Sequence, residues 1–186
     1  IQHKAIPIVL DGKDIIGIAQ TGTGKTYAFG IPMIQKLAQS EGRGLILVPT
    51  RELAIQVAEA LSKIANSFGI KIAVLIGGAP IYLQISNLRR GPRIIIATPG
   101  RAIDHLKQRT LELNDIKMFV LDEADRMLDM GFAPQIEKIL QFMNKDRQTL
   151  LFSATIPEKI VNIAAKHMKL PINVEIARSG SVVEKI

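Results

Sequence analysis

Two short strings carry residue types that could manage a polyphosphate. Residues 19–26 read Ala19-Gln20-Thr21-Gly22-Thr23-Gly24-Lys25-Thr26, the spacing of a phosphate-binding loop with alanine at the first position, where glycine is usual. Gly22 and Gly24 let the backbone turn its N–H groups toward phosphate oxygens, and the positive end of a following helix adds to them. Lys25 is placed to reach β- and γ-phosphates and Thr26 to put its hydroxyl on Mg²⁺. The second string, Asp122-Glu123-Ala124-Asp125, ends the apolar run Met118-Phe119-Val120-Leu121. A carboxylate at the tip of a buried strand can hold Mg²⁺ through water, which is the reading for Asp122. Glu123, one residue on, can orient and deprotonate an attacking water. Simpler readings exist: a solvated lysine on a glycine-rich turn, a solvated acidic turn, and a helix N-cap for Asp125. Two carboxylates directly after an apolar strand, in a chain that already carries the loop, favour nucleotide binding with Mg²⁺.

Such strings need strands to hold them. Candidate strands are Asp14–Ala19, Leu45–Pro49, Ile70–Ile76, Arg93–Ala97, Met118–Asp122, Thr149–Phe152 and Ile172–Ile176. Their unbroken apolar character suits strands buried on both faces, as in a parallel sheet. Between them the apolar period becomes helical: Leu53, Val57, Leu61, Ile64 and Phe68 form one stripe, and so do Ile136, Ile139, Leu140 and Met143, and Ile160, Ile163 and Ala164. Repeated βα units predict an α/β fold, a three-layer domain whose mostly parallel sheet of about seven strands has helices on both faces. Ligands on such sheets sit at the carboxyl ends of the strands, where both strings fall.

Composition narrows the class. The chain has 186 residues, 47% of them apolar, enough for one domain with a single core. It has no cysteine, hence no disulfide framework or thiolate metal site. Three scattered histidines (His3, His105 and His167) do not make a metal-site pattern, and His105 and His167 read as structural, at the surface or satisfied by neighbours. No apolar run approaches a membrane span. Between Lys63 and Arg109, eight basic residues stand against Asp104 alone, so a quarter of the chain carries the whole net charge of +7. That segment reads as a polyanion-facing surface or as a solvated face.

The strings together resemble the DEAD-box ATP-dependent RNA helicases, whose signature is spelled by residues 122–125. In the family's order follow Gln2 with Ile6-Pro7, residues 19–26, Pro49-Thr50-Arg51-Glu52-Leu53-Ala54, Gly77-Gly78, Thr98-Pro99-Gly100-Arg101, residues 122–125 and Ser153-Ala154-Thr155. The resemblance covers essentially the whole chain, and all seven strings in order are specific where any one is weak. It implies that residues 1–186 form the N-terminal RecA-like domain of a helicase core. The resemblance further implies a second RecA-like domain in the parent, outside this chain; opening on Ile1 rather than methionine, the chain is expected to start inside a longer protein.

It also implies roles. Gln2 would read adenine, since an amide pairs with adenine N6 and N7; the family's upstream aromatic, which packs on adenine, is absent from this chain. Pro49, Thr50, Arg51, Gly77, Gly78, Thr98, Pro99, Gly100 and Arg101 would meet an RNA backbone through hydroxyls, guanidinium forks and helix N-terminal amides. A capping role for Thr50 and an ion pair of Arg51 with Glu52 or Glu59 are the structural alternatives. Ser153 and Thr155 would bond back to Asp125 and couple nucleotide state to RNA binding; a helix beginning near Pro157 is their other use. The expected parent hydrolyses ATP to ADP and phosphate and unwinds RNA. This chain alone is expected to be a cytoplasmic monomer, with no membrane contact, that binds nucleotide without RNA-stimulated turnover. A nucleotide-dependent RNA-binding module without catalysis and a DNA-acting relative are the alternatives.

Overall fold

The computed structural model describes residues 1–175. Seven strands, β1 (Ile15–Ile18), β2 (Arg43–Leu47), β3 (Ile72–Leu75), β4 (Ile94–Ala97), β5 (Ile116–Leu121), β6 (Gln148–Ser153) and β7 (Ile172–Glu175), form one sheet in the order β3-β4-β2-β5-β6-β1-β7. Every pairing is parallel. The end of the last expected strand, Ile176, and the tail with Arg178 lie outside the described residues.

Alternation along the strands explains their unbroken apolar runs. Leu45, Leu47, Phe119, Leu121 and Leu151 point to one face, whereas Ile46, Val48, Met118, Val120, Leu150 and Phe152 point to the other. Helices α1 (Gln2–Leu10), α2 (Lys25–Gln39) and α3 (Arg51–Ala65) cover the second face; α5 (Pro99–Lys107), α6 (Ala124–Asp129), α7 (Ala133–Gln141) and α8 (Glu158–His167) cover the first. The remaining helix, α4 (Ile81–Arg89), lies against edge strand β3. No described helix is long and apolar enough to cross a membrane.

The structure departs from the sequence pattern at three places. Helix α1 has no clear apolar stripe and contains Pro7; Ala5 and Val9 are nonetheless fully buried beneath it. The α3 stripe stops short of Phe68, which is 56% exposed, because the α-helix ends at Ala65 and a 3₁₀ turn over Asn66–Phe68 swings the ring outward. Asp125 is not an N-cap: α6 begins at Ala124 with Glu123 in the cap position, so Asp125 lies inside the first turn.

The strand order sorts the sequence motifs into two blocks along one edge. Neighbours β3, β4 and β2 lead into Gly77-Gly78, Thr98–Arg101 and Pro49–Arg51. Neighbours β5, β6 and β1 lead into Asp122–Asp125, Ser153–Thr155 and the loop 19–24. The boundary between the blocks is the β2–β5 pair.

Candidate functional site

The loop after β1 is braced from several sides. The Ala19 amide donates to Ser153 O at 3.0 Å, tying its first residue to the end of β6. Within it, Thr23 Oγ1 donates to Gln20 O at 2.7 Å. Gly22 and Gly24 have φ of +83° and +81°, a backbone that strains other residues, and α2 starts on the next residue, Lys25. Gln2, brought in by packing of α1 on α2, donates its amide Nε2 to Gly24 O at 3.3 Å. A Cβ on Gly24 would sit 2.6 Å from that nitrogen, so a side chain there would expel Gln2. The amino-terminal residue of the sequence pattern is therefore part of the loop's wall.

Lys25 opens the helix after β1 and Asp122 follows β5, strands separated by β6, yet Lys25 Nζ lies 3.5 Å from Asp122 Oδ1. Both are buried. Burial pushes the Asp122 carboxyl up from its ordinary range and the Lys25 charge opposes that shift. The Asp122 amide donates to Leu47 O at 3.0 Å, extending the sheet pattern one residue past β5, and its Oδ1 accepts from the Glu123 amide at 2.9 Å. Thr26 follows Lys25 in the first turn of α2 and is half-buried. The donors here are a hydroxyl and a carboxylate, hard oxygens of the kind Mg²⁺ takes, with the rest of its shell supplied by water and phosphate. No group of three His, Cys, Asp or Glu side chains that could hold a metal ion is assembled among the described residues.

Glu123 turns the chain sharply, with φ of +52°, a left-handed conformation unusual for a residue with a side chain. Its Oε2 is 3.2 Å from Arg126 Nη1. Asp125 is wired to the next strand end. Its amide donates to Ser153 Oγ at 3.1 Å, and its Oδ2 accepts from the Thr155 amide at 3.1 Å and hydroxyl at 2.9 Å. Oδ1 accepts from the Arg126 amide at 3.0 Å. Burial raises this carboxyl, but the Thr155 and Arg126 hydrogen bonds prevail and hold it below its ordinary value. The three residues expected to communicate are thus in direct contact.

Across the β2–β5 boundary, seven of the nine residues expected to face a nucleic-acid backbone line one open cavity of about 450 Å³. They are Pro49, Thr50, Arg51, Gly77, Thr98, Gly100 and Arg101. Gly78 adjoins them: its φ is +74°, and a Cβ there would run into the Arg51 guanidinium. Pro99 is buried in the first turn of α5. Thr50 does cap α3, accepting from the Leu53 amide at 3.2 Å, which leaves its hydroxyl proton available for another acceptor. Arg51 forms no ion pair among the described residues, neither with Glu52 nor with Glu59, and its side chain is exposed. Arg101 differs. Its Nη1 donates to Ala79 O at 2.9 Å and to Gln84 Oε1 at 3.2 Å, and its Nε lies 3.5 Å from Asp104 Oδ2. That fork is committed within the protein on one side. Met130 and Phe132 also line the cavity, an apolar contribution that no spacing signals. A larger cavity of about 700 Å³ lies at the opposite edge of the sheet, near Lys36, Arg147 and Gln148, and holds none of these residues.

Comparisons with known proteins agree with this arrangement. A family model described as DEAD/DEAH box helicase matches residues 1–163. The "ATP-dependent RNA helicase CshA" of Listeria monocytogenes is 51% identical over 173 residues, covering 92% of this chain and 33% of that protein. The "DEAD-box ATP-dependent RNA helicase CshA" of Bacillus subtilis is 46% identical over 100% of this chain and 38% of its own length. Among solved structures, a DEAD box protein from the hyperthermophile Methanococcus jannaschii superposes with a TM-score of 0.88 at 45% identity, over 94% of this chain and 48% of the other. The yeast DEAD-box splicing factor Prp28 gives 0.90 at 35%, over 95% and 44%. The chain spans about a third of the length of these curated relatives.

Proposed function

The chain belongs to the DEAD/DEAH box helicase family, and from that premise we propose that it is the N-terminal RecA-like domain of an ATP-dependent RNA helicase, the half that carries ATP and one wall of the RNA path. The observation that carries this reading is the Lys25–Asp122 contact of 3.5 Å beside a glycine loop, on the same sheet edge as the 450 Å³ cavity. Residues 19–26 wrap the phosphates with backbone amides, Lys25 neutralises the β- and γ-phosphates, and Gln2 offers its amide to adenine. Thr26 and Asp122 would hold Mg²⁺, which when bound neutralises charge on the phosphate oxygens. Glu123 orients a water molecule and accepts its proton as the water oxygen bonds to the γ-phosphorus and ADP leaves. Asp125, Ser153 and Thr155 tie the carboxylate string to β6, so a shift at the phosphates is felt at the neighbouring strand end.

Loss of the lysine tests the phosphate site. Lys25→Ala is expected to weaken ADP binding by roughly 1.5–3 kcal/mol, the size of a hydrogen bond to a charged group. The substitution also removes the cation beside buried Asp122. Asp122 keeps its hydrogen bond from the Glu123 amide at 2.9 Å, and the fold is expected to survive because the lysine serves the ligand. Calorimetry with ADP reads the first effect and thermal melting the second; unchanged ADP affinity overturns the assignment.

On the RNA wall, Arg51 is the cleaner probe, because it is exposed and forms no ion pair among the described residues. Arg51→Ala is expected to weaken single-stranded RNA binding about equally for unrelated sequences and to lower the salt slope by roughly 0.7, the single-strand value for one phosphate contact. A loss confined to one RNA sequence would count against backbone recognition. The same titration with DNA of matching sequence separates RNA from DNA action, since only RNA carries the 2′-hydroxyl.

A further inference from the structure

Behind the RNA wall lies a buried polar network built around two residues, Gln84 and His105, that none of the family strings contains. Gln84 of α4 is 4% exposed and His105 of α5 is fully buried. Gln84 Nε2 donates to Ile76 O at 2.8 Å, at the end of β3. The Gln84 amide is thereby oriented, with Oε1 facing two groups: Arg101 Nη1 at 3.2 Å and His105 Nε2 at 2.8 Å. An amide oxygen can only accept, so His105 must carry its proton on Nε2. On the other side of the ring, Nδ1 lies 2.8 Å from Thr110 Oγ1, whose hydroxyl can donate to it. Burial, then the Arg101 charge, push the imidazole below its ordinary value against a weaker pull from Asp104, consistent with a neutral ring that accepts at Nδ1. Arg101 in turn donates to Ala79 O at 2.9 Å, closing a circuit from β3 through the Gly77–Ala79 turn, α4 and α5.

We infer that Gln84 and His105 are positioning residues for RNA binding: acting through Arg101, they lock the Gly77–Ala79 turn to the amino end of α5, so that both meet the RNA backbone already in place. The inference rests on the proposed RNA-binding reading. Its physical content is pre-organisation. Without the amide and ring, the turn and the helix end must be ordered when RNA arrives, and binding bears that cost. In a buried polar network the loss of one member is felt by its neighbours, because each group left without its partner is costly.

The test is a double-mutant cycle on this chain with single-stranded RNA at low salt. Gln84→Leu keeps the volume and removes the amide; it is expected to weaken RNA binding about tenfold, the scale of one hydrogen bond to a charged group. In an Arg101→Ala background it should add almost nothing, because both changes break the same link. Additive effects would show a role that does not pass through Arg101 and would overturn the inference. ADP affinity should be unchanged in all of these variants. If Gln84→Leu does not fold, His105 carries the test. His105→Phe should weaken RNA binding, whereas His105→Gln, which can still donate to Gln84 Oε1, should recover most of it; equal loss or equal retention in the two overturns the inference. Arg51→Ala is the control for the underlying reading. If it weakens RNA binding while the Gln84 and His105 variants do not, only the positioning role fails. If it too has no effect, the RNA wall itself is wrong and both fall.

Discussion

Glu123→Gln, introduced into the chain extended to the length of its relatives, is expected to lower RNA-stimulated phosphate release by on the order of 10²–10⁴-fold, the usual share of a general base. ATP affinity should not change. The amide keeps the size of the carboxylate and its contact with Arg126, now 3.2 Å from Oε2, but cannot accept a proton from water. The left-handed backbone at φ +52° makes glutamine a better choice than a shorter or branched residue, since the turn that aims the side chain is retained. Asp122 sits beside it with a carboxyl raised by burial and held close to Lys25. Its environment is that of a charge partner for a cation rather than of a base open to water. The measurement pairs phosphate release with equilibrium ATP binding. Residual turnover close to that of the unmodified protein would move the base elsewhere, and loss of ATP binding would make Glu123 a binding residue.

How far the sequence alone reaches is seen by comparing Lys25 with Gln84. Lys25 belongs to a string that reads locally: two glycines, a lysine and a hydroxyl in one turn, announced by spacing, with a strand before it and a helix after it in the structure. The strands were legible for a related reason. In a parallel sheet covered on both faces, Leu45 and Ile46 are both buried although they point opposite ways, and the run shows as unbroken apolar sequence. Gln84 offers no such sign. Its partners belong to two other segments, Ile76 at the end of β3 and Arg101 and His105 on α5, and a glutamine among exposed residues of a short amphipathic helix reads as surface. The commitment of Arg101 was hidden in the same way: an arginine after Pro-Gly looks like an open fork, and only the fold reveals the carbonyl of Ala79 against it. Helix α1 was obscured by Pro7, and its burial becomes visible only when α2 is laid beside it. Residues whose work is done within one turn can be read from the string. Residues whose work is to join turns cannot.

Residues 1–186 produced as they stand are expected to bind ADP, to bind RNA weakly, and to show no RNA-stimulated hydrolysis or unwinding. Extension to the length of the relatives should restore both activities. The argument begins with charge. Phosphoryl transfer needs cations placed where negative charge spreads in the transition state, and an arginine reaching in from another domain or subunit is worth about 10³–10⁵ in rate. In this structure Lys25 is the buried cation of the phosphate loop, and it is paired with Asp122. Arg126 points its guanidinium at Glu123 instead of at the loop, and Arg51 and Arg101 line the cavity on the far side of the β2–β5 boundary. The loop's outer residues Gln20, Thr21 and Gly22 are exposed, so a bound γ-phosphate would lie open to water and to an arriving partner surface. RNA would likewise rest on one wall, the strand ends of β3, β4 and β2. The curated relatives are nearly three times as long as this chain, and we propose that the second wall and an arginine for the γ-phosphate lie in that further length. Phosphate release with and without RNA, measured on both lengths under identical nucleotide and Mg²⁺, decides the matter. Stimulated turnover by residues 1–186 approaching that of the longer chain would show that the catalytic charges are already complete within this domain.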